Sequence, residues 1–432
     1  MSSVGNVFTT TFFYYNIFIS EKILYNKNMP LKIVWDDFPE KYDDEINLQN
    51  LVFSPNLPKK LESHIFIEAD NYPAMKILSL QTEWKNFIDI IYIDPPYNTG
   101  NDFTYNDDFS QKNDKHSKWL SFMKRRLNLA KDFLSETGCI FIAIDQSELY
   151  VLKILCDEIF GEDNFINDFM WLHGKGKKNT WSRTLQQHTL CYAKNKKKLK
   201  PFVEIEYSSW AKTNLDNDFR GNWFSGSISF SEKRSNQNHK NYFTITSPSG
   251  KKWTRQWQVS RDEMNKLLEE NKIYWGLSPK FDKVPRVKIF NDNPTFVIPK
   301  NIIENVESTR SAQNHLDKLL GEKNIFDNPK PVNLISHLIE ITNMKKDAII
   351  MDFFAGSGTT FEAVCELNSL DEGKRKCILI QKPEQIKKSV QKNHNENSVS
   401  DFKTISDICR IRCKKVSEIY NSKIENYKLI CK

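Results

Sequence analysis

Short apolar runs alternate with amphipathic stretches in two separate parts of the chain, and both parts predict strands and helices in turn. His64-Ile65-Phe66-Ile67-Glu68 reads as a strand closing on Asp70-Asn71, with a helix through Met75 and Leu78 behind it. Ile88-Asp89-Ile90-Ile91-Tyr92-Ile93 is a β-branched strand, and the Pro95-Pro96 pair after it lacks the N–H groups a central ladder needs. Asp94 therefore sits at a strand's carboxyl end. Trp119, Phe122, Met123, Leu127, Ala130, Phe133 and Leu134 recur at helical spacing; Gly138 breaks the pattern, and Cys139 to Ile144 forms the next buried strand. Strand, helix, strand implies a parallel sheet. The rhythm resumes at Ala348-Ile349-Ile350-Met351-Asp352, turns through Phe353-Phe354-Ala355-Gly356-Ser357-Gly358-Thr359-Thr360, and continues as a helix carrying Phe361, Val364 and Leu367. Cys377 to Gln381 completes that βαβ unit, and Ile405 to Tyr420 is a basic amphipathic helix.

Between about residues 164 and 328 the rhythm gives way to short aromatic and polar runs, which predicts a separate domain. The expected organisation is an N-terminal extension over 1–60, two halves of one α/β domain over 61–163 and 329–432, and the insertion over 164–328 between them. The run Phe12-Phe13-Tyr14-Tyr15-Asn16-Ile17-Phe18-Ile19 lacks a basic flank and is shorter than the ~20 residues a membrane span needs. Neither a signal peptide nor a membrane anchor is expected, and Met29 opens a more ordinary polar segment.

Composition narrows the class. The 432 residues carry a net charge of +7 from 62 basic and 55 acidic side chains, a modest excess that suits a polyanionic partner. None of the eight cysteines forms a Cys-x-x-Cys pair, so free thiols in a reducing cytoplasm are expected, with no metal site. Cys409 and Cys413 lie one helical turn apart, but no histidine or further cysteine stands near them in sequence to complete a ligand set.

Two turns carry candidate chemistry. At the second, a strand ending in Asp352, a turn with Gly356 and Gly358, and a helix opening at Thr359 bring backbone N–H groups to a close-approach surface. Alone, this Gly-x-Gly turn reads equally well as a bland tight turn. For S-adenosylmethionine the chemistry is apt: Asp352 for the ammonium, the turn N–H groups for the carboxylate, and an acid after the next strand for the ribose. Glu384 is the candidate for the last role, beside the alternative of a solvated glutamate. At the first turn, Asp94 and the Pro95 carbonyl offer two acceptors that draw the hydrogens of an exocyclic base amine out of plane, and Tyr97 offers a stacking face for a base turned out of its helix. The absence of any Pro-Cys dipeptide argues against attack on a cytosine ring carbon.

With both turns placed, the chain resembles the β class of DNA amino-methyltransferases, in which the catalytic motif precedes the cofactor turn. The string Asp94-Pro95-Pro96-Tyr97-Asn98-Thr99-Gly100-Asn101-Asp102-Phe103, running on to Tyr105-Asn106-Asp107-Asp108-Phe109, is similar to the modification subunits of type III restriction systems. Asp70-Asn71, Asn328-Pro329-Lys330-Pro331 and Gln381-Lys382-Pro383-Glu384 are further likenesses, with Lys382 standing where the family usually has an apolar residue. The resemblance implies a doubly wound Rossmann-like α/β sheet with an inserted mixed α+β target-recognition domain. It implies Asp94, Pro95, Pro96 and Tyr97 as the catalytic set. Its cofactor set is Asp352, Phe353, Phe354, Ala355, Gly356, Gly358, Thr359, Lys330 and Glu384, with Asp70 near cofactor or base. S-adenosylmethionine is the implied cofactor; double-stranded DNA, a homodimeric copy and a restriction subunit are the implied partners, with N6 of adenine as the methylated atom. N4-cytosine methylation and a non-catalytic DNA-recognition subunit are the rival readings.

In the insertion, Trp253, Trp257 and Trp275 read as small-domain core before they read as base contacts. Lys251, Lys252, Arg255, Arg261 and the run Lys194 to Lys200 are open to phosphate contact or to plain solvation.

Overall fold

The computed structural model describes residues 33–58, 60–100, 107, 109, 114–173, 181–206, 216, 218–221, 223–276, 280, 283–290, 295–386 and 402–432. The apolar run at 12–19 and most of the 101–108 string lie outside the described residues.

In chain order come β1 (Leu51–Ser54), β2 (His64–Glu68), α1 (Asn71–Ser79), β3 (Ile88–Ile93), α2 (Lys115–Phe133), β4 (Leu134–Ile144), α3 (Leu149–Phe160), β5 (Phe165–Leu172) and β6 (Gln186–Ala193). The middle of the chain adds β7 (Glu204–Glu206), β8 (Trp223–Ser227), β9 (Tyr242–Thr246), β10 (Lys252–Gln256), α4 (Arg261–Glu269), β11 (Ile273–Tyr274), β12 (Arg286–Phe290), β13 (Thr295–Val297) and β14 (Ile302–Ile303). The last part holds α5 (Thr309–Leu320), α6 (Val332–Ile341), β15 (Ile349–Asp352), α7 (Thr359–Asp371), β16 (Lys376–Gln381), α8 (Ile405–Tyr420) and β17 (Ile424–Cys431).

Ten of these strands form one sheet in the order β1-β17-β2-β16-β15-β3-β4-β6-β5-β14. From β17 to β4 every neighbouring pair is parallel, while β6 runs antiparallel to both β4 and β5. Helices cover both faces, as parallel strands without a solvated side require. Met75, Met123, Leu127 and Leu155 pack on one face, and Leu338, Phe361, Val364, Cys409 and Val416 on the other. This is the doubly wound sheet the alternating pattern predicts. After β3 the chain moves outward to β4, and after β15 it moves the opposite way to β16, so the topological switch lies between β3 and β15. Ligands of such sheets bind at the carboxyl ends flanking that switch.

Three elements differ from the sequence reading. Gly138 does not separate helix from strand: β4 begins at Leu134 and runs through it, and the glycine serves close strand approach, since a Cβ there would lie 2.9 Å from the Asp89 and Ile88 carbonyls of β3. The separate insertion expected from residue 164 begins later, since β5 and β6 are strands of the central sheet. Their polar, aromatic composition reflects a position near the sheet's edge. Of the expected N-terminal extension, the described residues from 33 onward pack on the sheet domain, with β1 paired to β17 and Glu40 in an ion pair with Arg126 of α2.

Beyond β6 lies a smaller unit in which β11, β12 and β8 form one sheet and β9 and β10 a hairpin. Its core gathers Ile228, Phe243, Ile245, Trp257, Met264, Ile273 and Trp275, which settles Trp257 and Trp275 as packing residues. Trp253 is half-buried there, flanked by the Lys251 and Arg255 cations. In the lysine run, Lys194 binds the Asn86 side chain and the Lys131 carbonyl, Lys196 binds the Phe165 carbonyl, and Lys198 pairs with Glu136. These three cations serve the fold's own contacts.

Candidate functional site

Asp94 follows directly on β3, where the strand's last apolar residue, Ile93, is fully buried. The Tyr97 hydroxyl donates to Asp94 Oδ1 at 2.6 Å, and Lys330 Nζ approaches Oδ2 at 2.5 Å while lying 5.2 Å from the Tyr97 ring centre. Lys330, expected among the cofactor residues, is thus bonded to the catalytic candidate. Trp119 of α2 donates its indole N–H to the Pro96 carbonyl at 2.7 Å, so the second acceptor expected in this turn falls to Pro95. Asn98, buried and at φ 59°, donates its backbone N–H to Asp107 Oδ1 at 2.9 Å and its side-chain amide N–H to Glu148 Oε1 at 2.6 Å. Asn98 and Asp107 of the extended string therefore fix the shape of the turn.

Across the switch, Asp352 closes β15 with both carboxylate oxygens engaged, one by the Phe354 N–H at 2.9 Å and one by the Thr360 hydroxyl at 2.5 Å. Burial pushes its carboxyl up to about 7; the two hydrogen bonds oppose that shift and the nearby Asp94 charge adds to it. The Gly356 N–H donates to the Gln381 side chain at 2.8 Å. Gly356 has φ 54°, and a Cβ there would come 3.2 Å from the Phe326 ring. Gly358, at φ 86°, backs onto α8, where a Cβ would meet Cys409 Sγ at 3.1 Å and Cys413 Sγ at 3.4 Å. The two cysteines singled out in the tail are thus packing atoms beneath the turn.

The two turns face one cavity of about 1060 Å³. Asp94, Pro95, Pro96 and Tyr97 line it, together with Asp352, Phe353, Phe354, Ala355, Gly356 and Thr359. Asp70, Lys330 and Glu384 also reach it, so of the expected site residues Gly358 alone faces elsewhere. Asp70 caps α1 by accepting the Tyr72 N–H, and it lies 3.5 Å from Lys382 Nζ. The Tyr92 hydroxyl is buried at the cavity wall and finds no partner among the described residues. Burial first, then the Asp94 and Asp352 charges, push its pKa far up, which keeps it a donor.

Sequence reasoning missed the buried cation that braces the glycine turn. Arg126 is almost wholly buried; it donates to Asn71 Oδ1 at 2.6 Å, and Asn71 Nδ2 donates to the Phe353 carbonyl at 2.7 Å. The Arg126 guanidinium stacks 3.6 Å from the Phe122 ring centre, and Phe122 meets Phe354. A signal was present, because Arg126 falls in the helical stripe of Trp119, Phe122, Met123 and Ala130, where a charge must find a buried partner.

Residues 88–392 match the family model N6_N4_Mtase, described as DNA methylase, which covers most of the chain. The chain belongs to the DNA methylase family. It is 33% identical to the type II methyltransferase M.KpnI of Klebsiella pneumoniae, over 82% of this chain and 88% of that one. It is 32% identical to the StyLTI Mod subunit of Salmonella typhimurium, a type III restriction-modification enzyme, over 84% of this chain and 58% of that one. The EcoPI Mod subunit of Escherichia phage P1, of the same type, is also 32% identical, with 83% and 62% covered. The chain therefore spans about three fifths of the length of these two Mod subunits. For a DNA methylase the shared cavity is the relevant feature, since methyl donor and acceptor must meet in one place.

Proposed function

We propose that the chain transfers a methyl group from S-adenosylmethionine to N6 of an adenine turned out of double-stranded DNA, as the modification enzyme of a restriction-modification system. The observation that carries the reading is that Asp94 and Asp352 end adjacent parallel strands and open into one cavity. The cavity's own chemistry fits the cofactor: a buried tyrosine hydroxyl without a partner among the described residues, the Asp352 side chain at the wall to meet an ammonium, and a glycine turn whose left-handed backbone resists a side chain.

When bound, the cofactor supplies an electrophilic methyl group on a sulfonium. Asp352, Phe354, Gly356 and Thr359 hold its amino-acid end, and Asp70 and Glu384 stand along the wall for its nucleoside. Asp94 retains lone pairs beyond those given to Tyr97 and Lys330, and with the Pro95 carbonyl it accepts the hydrogens of the base amine. Lys330 offsets the Asp94 charge and, with the Tyr97 hydroxyl, fixes which oxygen faces the base. Tyr97 supplies the stacking face. After transfer the surplus proton leaves the amine through Asp94.

A restriction subunit is the partner proposed with this reading, supported by the two relatives that are named as Mod subunits of restriction-modification enzymes, and a homodimer is proposed beside it from the family resemblance alone. A cytoplasmic location belongs to the same proposal; among the described residues no helix is long and apolar enough to cross a membrane. Expression in a methylation-free host followed by modified-base sequencing tests the function. N6-methyladenine confined to one sequence context is expected; N4-methylcytosine, or no modification, overturns it.

A further inference from the structure

Beneath the glycine turn lies a buried cation that none of the chemistry above uses. Arg412 of α8 is about 1% exposed. Its Nη1 donates to Ser357 Oγ at 2.9 Å and to Thr359 Oγ1 at 2.8 Å, and its Nε donates to Glu362 Oε2 at 2.7 Å. Glu362 Oε1 in turn meets His315 Nε2 at 2.5 Å. Ser357 and Thr359 both line the cavity.

The direction of these bonds matters. A guanidinium can only donate, so both hydroxyl oxygens are acceptors toward Arg412, and each keeps one O–H to place elsewhere. The two oxygens are 3.4 Å apart, a long contact in which either could donate, so at least one O–H, and both when a stronger acceptor arrives, can be placed elsewhere. Both residues line the cavity at the start of α7, whose N-cap, Gly358, has no side chain to cap the helix. Polarised by the cation behind them, the two hydroxyls are stronger donors than free ones. The device brings the effect of a positive charge to the turn from a guanidinium that stays behind it, in α8.

We propose that Arg412 is a positioning residue that turns the Ser357 and Thr359 hydroxyls into paired donors for the carboxylate of the cofactor's amino-acid end. The proposal rests on the cofactor reading above, and it assigns carboxylate recognition to side chains as well as to the turn's N–H groups.

The test compares two ligands that differ only in that carboxylate, S-adenosylmethionine and its decarboxylated form, by calorimetry on the full chain. Wild type binds the first more tightly. The double variant Ser357→Ala with Thr359→Val, which removes both hydroxyls with little change in volume, is expected to weaken S-adenosylmethionine by about 10- to 100-fold, the loss of two charge-assisted bonds. Its affinity for the decarboxylated form stays within about twofold of wild type. Arg412→Lys, which cannot fork between two hydroxyls and Glu362, is expected to raise the cofactor KM while kcat at saturation stays within about twofold. Equal weakening of both ligands assigns Arg412 and the hydroxyls a purely structural role and overturns the proposal, as does no weakening of either. Failure of wild type to bind S-adenosylmethionine overturns instead the cofactor reading on which it rests.

Discussion

The two turns that face each other across the sheet are held in different ways. The Asp94 carboxylate is held from within by Tyr97 three residues on, and its turn by Asn98 with Asp107, while Trp119, Glu148 and Lys330 brace it from other elements. The glycine turn is fixed largely from outside: Asn71 holds the Phe353 carbonyl, Gln381 the Gly356 N–H, and Arg412 the Ser357 and Thr359 hydroxyls. The difference follows from the tasks proposed for them. A base acceptor needs one carboxylate aimed at one atom, and a short stiff turn does this locally. A cofactor cradle needs exposed backbone and small residues, which leave little side chain to hold the turn, so its rigidity comes from the elements around it.

This comparison separates the effects of substitutions. Variants of the Asp94 turn act on turnover, and variants of the glycine turn act on cofactor affinity. The largest effect is expected for Asp94→Ala, which lowers single-turnover methyl transfer by about a thousandfold while the cofactor Kd stays within threefold by calorimetry. Lys330→Met comes next, with kcat reduced by roughly 10- to 100-fold and the cofactor Kd unchanged, because its cation serves Asp94. An altered Kd with intact kcat would return Lys330 to the cofactor side.

Asp352 gives the third prediction. Its carboxyl stands at about 7 in the folded protein, above the ordinary aspartate range, so below that pH a proton must leave before the side chain can pair with an ammonium. Cofactor affinity is therefore expected to rise about tenfold per pH unit up to about 7 and to level off above it, and Asp352→Asn should flatten the profile. The stability of the unliganded protein has the opposite sign. The raised folded pKa makes this group's contribution complete below the unfolded value and lost as pH rises through about 7. Thermal melts with and without cofactor across that range read both trends.

Gly356→Ala has a smaller effect, since the left-handed backbone at φ 54° and the Phe326 ring 3.2 Å away both resist a methyl group; about a fivefold weaker cofactor Kd is expected, with kcat preserved. Smallest is Lys198→Ala, which removes an exposed pair with Glu136 and should leave DNA affinity within twofold in a gel-shift titration.

How much was legible in the sequence follows the same division. Strands β2 and β3 and helix α8 fall where the periodicity places them, because buried strands and amphipathic helices write their burial into residue spacing. Asp94 and Tyr97 were legible because their partnership spans a single turn. The Lys330 bond to Asp94 and the Asn71 bond to Phe353 span more than half the chain, and no local pattern encodes them. Strand β17 was not anticipated, since it lies next to the edge strand β1 and is only partly buried, with Glu425, Asn426 and Lys428 interrupting the apolar run. Arg126 and Arg412 lay between: each sits in an apolar helical stripe, a visible anomaly whose partner only the fold supplies.

The most direct test of the account is chemical. Duplex DNA incubated with the purified chain and S-adenosylmethionine labelled on its methyl group, then digested to nucleosides, should carry the label as N6-methyladenine, and the Asp94→Ala protein should leave the DNA unlabelled while still binding the cofactor. Label in N4-methylcytosine, or equal labelling by the Asp94→Ala protein, would contradict it.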